Sequence, residues 1–186
     1  MRHLSAILVL SLVLLAACGP QAPSLVSPAG GDFVLQSAAG PLDTQALRGK
    51  VLLIFFGYTH CPDVCPASVA AGAQALNALA AEERARTRMI MISVDPERDT
   101  PQRLKEYAAF FHPDMIGVTG SVEQIERVAK SFGAGYLRQP AKADGSYAVD
   151  HTANTYLVGP DGKLAATISL GTPTADVAAA IRKLLP

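Results

Sequence analysis

The sequence predicts an α/β domain in which a mixed central sheet is flanked by helices, and three patterns carry that prediction. Two apolar runs rich in β-branched and aromatic residues or in Met and Ile, Val51–Phe56 and Met89–Val94, have the length and character of strands buried on both faces. Helical segments with recognisable start signals alternate with them. Near the carboxyl end, Gly159-Pro160-Asp161-Gly162 separates two strand-like runs and reads as a hairpin turn. Strand, helix, strand, then a hairpin and a last helix is the order expected of helices packed on a sheet.

The amino-terminal segment stands apart. Arg2 is followed by an apolar and small-residue run, Ala6–Ala17, too short to span a bilayer comfortably, so residues 1–17 read as a secretory signal. Its end, Leu15-Ala16-Ala17-Cys18, resembles the lipobox of bacterial lipoproteins, which makes Cys18 a lipidation site and a membrane anchor. Residues 18–31 are small, proline-bearing and almost uncharged, and are expected to be a tether. The domain proper is expected over 32–186.

Within it, Phe33–Gln36 and the turn at Gly40-Pro41 suggest a short hairpin before the strand Val51–Phe56. Val64–Ala80, rich in Ala and Leu, is expected to be helical, and Met89–Val94 returns to a buried strand. Thr100 followed by Pro101 places an N-cap and a proline at the first helical position of Pro101–Phe111, which Pro113 ends. Ser121 and Gln124 form a capping box for a helix running to Phe132, stopped by Gly133. Asn154–Val158 and Leu164–Ser169 form the late hairpin, and Thr174–Leu185 the last helix. Lys plus Arg equal Asp plus Glu at 16 each, so no charge excess favours nucleic acid or an anionic surface as partner.

With Cys18 assigned to lipid, the remaining two of three cysteines fall in one segment, Gly57-Tyr58-Thr59-His60-Cys61-Pro62-Asp63-Val64-Cys65-Pro66, between a buried strand and a helix. A helix beginning near Pro62–Val64 puts Cys61 and Cys65 about one turn apart on one face. Unpaired N–H groups at the helix start lower the pKa of at least one thiol. So short a loop gains little from a structural disulfide. Three intervening residues, where ordinary thioredoxin-like reductases have two, widen the pair, so both metal binding and thiol exchange stay open.

A soft metal on two thiolates wants a third ligand. Of four histidines, His3 leaves with the signal, His60 reads as a loop residue that tunes the thiols by its charge, and His112 as a charge at a helix C-terminus. His151 stands immediately before the strand Asn154–Val158, and in thioredoxin-like folds that segment faces the cysteine loop. Asp150 beside it is a candidate to set its tautomer, and Asp63, between the cysteines, a candidate to support the ligands from outside. Two sulfurs and one imidazole suit Cu(I), and with a weak axial group Cu(II), whereas zinc wants a fourth strong ligand. So open a site suits a carrier.

These segments resemble the Sco/SenC family, copper chaperones and thiol–disulfide proteins of cytochrome c oxidase assembly. Gly57–Pro66 looks like its metal loop, Ser93-Val94-Asp95-Pro96-Glu97-Arg98-Asp99-Thr100-Pro101 its second signature, and Asp150-His151-Thr152 its third. The resemblance implies Cys61, Cys65 and His151 as copper ligands, with the cysteines also a redox pair. It implies a thioredoxin-like fold with extra N-terminal and inserted hairpins. It further implies delivery of copper to the dinuclear copper centre of cytochrome c oxidase subunit II, or reduction of that subunit's cysteines. The other partners would be an envelope thiol reductant or copper donor, in a lipid-anchored protein of the cell envelope. The alternative is an envelope thiol–disulfide oxidoreductase without stable metal, for which His151 would be dispensable. Of the second signature, the residues themselves suggest only a strand end running into a capped helix, with Asp95 and Arg98 structural.

Overall fold

Residues 28–186 are described by the computed structural model; the expected signal, Cys18 and the first part of the tether lie outside them. The chain enters through the expected hairpin, β1 (Val34–Ser37) and β2 (Gly40–Asp43), and a 3-10 turn over Thr44–Leu47. β3 (Val51–Gly57) follows, then α1 (Val64–Asn77), the short α2 (Ala81–Ala85), β4 (Thr87–Ser93) and α3 (Pro101–Phe111). The rest comprises β5 (Met115–Val118), α4 (Val122–Phe132), β6 (Tyr136–Arg138), β7 (Val149–His151), β8 (Thr155–Val158), β9 (Leu164–Ile168) and α5 (Thr174–Leu184). The cap signals act as read: Thr100 Oγ1 accepts from Arg103 N–H, Ser121 and Gln124 bond reciprocally, and Gly133 ends α4 at φ 68°.

The central sheet has the order β5-β4-β3-β8-β9. β3 is parallel to β4, and β4 to β5, while β8 runs antiparallel to β3 and β9 antiparallel to β8. This is the thioredoxin-like arrangement, extended by the β1–β2 hairpin and by β6–β7, which pair only with each other. Every residue of β3 is buried, as a central strand covered on both faces requires. Each of its fully buried Leu, Ile and Phe side chains contributes about 1.5–3 kcal/mol by leaving water.

The register fixes where function can sit. Gly57, the last residue of β3, lies beside Ser93, the last of β4, and Phe55 lies beside Thr155, the first of β8. The cysteine loop, the segment after β4 and the segment before β8 therefore meet at one end of the sheet. Among the described residues no helix is long and apolar enough to cross a membrane.

α2 and β5 were not among the expected elements, whereas the β6–β7 pair is the inserted hairpin that the family resemblance implied, and His151 lies within β7, not in a bare lead-in to β8. β5 carries Gly117 because α3 crosses it closely: a Cβ there would fall 2.7 Å from both Cβ and the carbonyl oxygen of Leu104. α1 approaches the sheet through Gly72, where a Cβ would meet the thioether of Met89 at 2.4 Å. The first clash is with backbone and the second with a flexible side-chain end. Urea unfolding should therefore show Gly117→Ala losing about 1–3 kcal/mol, and Gly72→Ala less, its strain offset by about 1 kcal/mol of helix propensity. The reverse ranking would contradict this packing.

Candidate metal centre

The side-chain donor atoms of Cys61, Cys65 and His151 all lie within 4.8 Å of one another. Each reaches that place from a different element. Cys61 sits half-buried in the loop after β3, Cys65 is buried in the first turn of α1, and His151 comes from β7. Cys65 Sγ is 3.0 Å from His151 Nε2 and accepts the Tyr58 N–H at 3.5 Å. The Cys65 N–H in turn points at Cys61 Sγ, 3.4 Å away. Gly57 leaves room for this: a Cβ there would lie 2.9 Å from Cys65 Sγ.

His151 Nδ1 is 3.1 Å from the Thr152 carbonyl oxygen. A carbonyl can only accept, so Nδ1 carries the proton and Nε2 presents its lone pair toward the sulfurs. The ring is wedged edge-to-face against Phe55 and Tyr58, with centroids 5.8 and 5.9 Å away. The tautomer is thus set by Thr152. Asp150, expected in that role, is exposed and accepts from Gln139 Nε2 instead.

The two thiols are unlike. Burial acts to raise the Cys61 pKa, but backbone N–H groups of Asp63, Cys65 and Val64 aimed at its sulfur outweigh burial and hold it below the ordinary thiol value. Burial pushes Cys65 strongly up, and the Tyr58 N–H only partly opposes this. The lowering expected from the helix start falls on Cys61 alone. Asp63 contributes through its backbone, its side chain being exposed and making no cap bond to α1.

One buried carboxylate that the sequence reading gave no role shapes the loop. Asp99 accepts hydrogen bonds from Thr59 N (3.0 Å), Thr59 Oγ1 (2.6 Å) and Ser93 Oγ (2.7 Å), and Arg103 Nε adds a bond to Thr59 Oγ1 at 2.8 Å. The segment after β4 thereby grips the cysteine loop two residues before Cys61. His60 is exposed, with Nδ1 3.8 Å from Asp99, so it faces that carboxylate. His112 departs from expectation: it is buried at the end of α3, accepts the Asp114 N–H at Nδ1, and burial lowers its pKa, so it is a neutral group and no helix-end charge.

A family model described as SCO1/SenC matches residues 21–186. The mitochondrial Protein SCO2 homolog of Bos taurus is 41% identical over 134 residues, covering 71% of this chain and 50% of that protein. ScoI of Bradyrhizobium japonicum, solved with copper bound, is similar at 39% identity with a TM-score of 0.76, over 84% of this chain and 99% of that one. BsSco, described as a member of the Sco family of cytochrome c oxidase assembly proteins with a disulfide switch, is similar at 30% identity and a TM-score of 0.67, over 86% and 95%. The chain spans about half the length of the curated relatives it matches.

The thiol asymmetry has a direct consequence. In the reduced, metal-free protein, alkylation by iodoacetamide should be biphasic. The fast phase should belong to Cys61 and disappear in Cys61→Ser. Because its pKa is lowered, that phase should rise with pH to a plateau and should do so at lower pH than the slow phase of Cys65. A fast phase mapping to Cys65 would contradict the assignment.

Proposed function

This chain belongs to the SCO1/SenC family, and on that premise we propose that it is a copper-binding protein of cytochrome c oxidase assembly, with Cys61, Cys65 and His151 as its copper ligands. Its task is to pass copper to the dinuclear copper centre of oxidase subunit II. The convergence of two sulfurs and one imidazole Nε2 within 4.8 Å carries this reading. Among the described residues that cluster includes no fourth His, Cys or carboxylate, which disfavours zinc and suits Cu(I). A copper-bound relative on the same fold supports it.

The residues divide the work. Cys61, partly exposed and held toward its thiolate, meets the ion first. Cys65 is protonated and paired with His151 Nε2, so closing the ligand set releases a proton and makes uptake weaker as pH falls. A three-ligand centre leaves a side open to a recipient's thiolate or imidazole, as transfer by ligand exchange needs. The lipobox-like Leu15-Ala16-Ala17-Cys18 supports a lipid anchor at Cys18 and a site facing the outside of the cytoplasmic membrane.

A second reading, thiol–disulfide exchange on the recipient's cysteines, is favoured by the thiol asymmetry. One accessible low-pKa sulfur beside a buried high-pKa one is the arrangement of an attacking and a resolving cysteine. The two readings part at His151. Anaerobic Cu(I) titration of the reduced protein against a competing chelator should give one Cu(I) per chain, with at least about tenfold weaker binding in His151→Ala and loss of tight binding in Cys65→Ser. Equal affinity across the three proteins would overturn the copper reading. Mixed-disulfide turnover by His151→Ala at the unmutated rate would then assign the site to thiol exchange.

A further inference from the structure

His151 is carried by a hairpin that the central sheet does not hold. β6 and β7 bond to each other and to no other strand. The side chains that fix this hairpin come from the segment between β4 and α3. Asp95, 3% exposed, accepts from Arg98 Nε through one carboxylate oxygen and from Tyr147 Oη, at 2.8 Å, through the other. Arg98 Nη1 donates to the Tyr147 carbonyl at 3.0 Å, and its guanidinium lies 3.6 Å from the centroid of the Tyr147 ring. Tyr147 is therefore held by ring, hydroxyl and backbone, two residues before β7 begins. Burial, and then the hydrogen bond to Asp95, push the Tyr147 pKa up to about 12, which keeps it the neutral donor this arrangement needs.

The cluster is joined to both halves of the metal centre. Arg98 also lies over the Tyr58 ring, 5.6 Å from its centroid, and Tyr58 Oη accepts the Val149 N–H of β7 at 3.3 Å. Ser93 Oγ accepts the Asp95 N–H at 3.0 Å while donating to Asp99, the carboxylate that grips the cysteine loop. A second ion pair, Arg138 to Glu97 at 2.8 Å, also spans the hairpin and this segment, but both partners are more than half exposed, where water screens most of its value. The Arg98–Asp95 pair is shielded and governs. Arg98 Nη2 is buried with no hydrogen-bond partner among the described residues.

We propose that Arg98, Asp95 and Tyr147 form a latch that positions His151 over the cysteine pair, so that the imidazole is a metal ligand only while the latch is closed. With the latch open, the centre keeps its two thiolates and loses its nitrogen. These three are positioning residues: none reaches the donor atoms. The proposal rests on the copper reading for its ligand set, but its structural half does not.

The test compares Arg98→Lys, Tyr147→Phe and His151→Ala with the unmutated chain. In the reduced, metal-free proteins, hydrogen–deuterium exchange at Val149–His151 should be about tenfold faster in Arg98→Lys and several-fold faster in Tyr147→Phe, with β3 and β4 unchanged. In the Cu(II)-loaded proteins, the imidazole nitrogen couplings of the electron paramagnetic resonance spectrum should weaken toward the His151→Ala pattern in the same order. Unchanged exchange, or faster exchange with full nitrogen couplings, overturns the latch. Should Arg98→Lys fail to fold, Tyr147→Phe, which keeps the ring and the ion pair, decides alone. If the unmutated protein shows no nitrogen coupling, the ligand assignment fails, while the exchange data still judge the latch separately.

Discussion

Everything at the candidate metal centre depends on the pairing of β3, with β4 parallel on one side and β8 antiparallel on the other. In that register the carboxyl ends of β3 and β4 and the amino end of β8 fall side by side, and three stretches of chain far apart in sequence are delivered to one edge. The pairing is stable because β3 and most of β4 are buried apolar chain. A one-residue slip would exchange the faces on which the β3 side chains pack and shift its carboxyl end away from those of its neighbours. The same burial that secures the fold thus fixes the spacing of the candidate ligands.

Strand ends bring segments near each other but do not aim side chains. Here that is done by the segment Ser93–Pro101, which offers two buried carboxylates to two different neighbours. Asp99 takes three hydrogen bonds and holds the loop of Cys61; Asp95 pairs with Arg98 of its own segment and accepts from Tyr147 on the hairpin of His151. Ser93 bonds with both. Charged groups are rarely buried without partners, and each of these is paired on the side where a segment carrying a candidate ligand must be fixed. The thiols add a functional asymmetry, with Cys61 accessible and inclined to ionise and Cys65 buried and bonded to the imidazole.

Much of this was legible in the sequence. Val51–Phe56 is too apolar and too short to be anything but a buried strand, and Thr100-Pro101 and Ser121 with Gln124 mark helix starts by local chemistry alone. The three residues that converge, Cys61, Cys65 and His151, were identifiable as candidates because thiols and imidazoles are scarce. What stayed hidden depends on contacts distant in sequence. β5 is four residues with a glycine, and β6 and β7, which only the family resemblance implied, are three residues each, too short for any period to show. Asp99 meets Thr59 across 40 residues and Tyr147 meets Asp95 across 52, so no local pattern separates them from surface residues of the same type. The neighbouring Asp150 is only a candidate to set the tautomer of His151 when read from the sequence; the β7 backbone turns that side chain toward Gln139 and leaves the Thr152 carbonyl against the ring.

X-ray absorption at the copper edge of the anaerobically loaded, reduced protein tests the central claim most directly, because it counts donor atoms without reference to the rest of the chain. Two sulfur scatterers and one imidazole nitrogen per Cu(I) are predicted, with multiple scattering from the ring lost in His151→Ala. Two sulfurs with no nitrogen in the unmutated protein, or a fourth strong protein donor, would contradict the account.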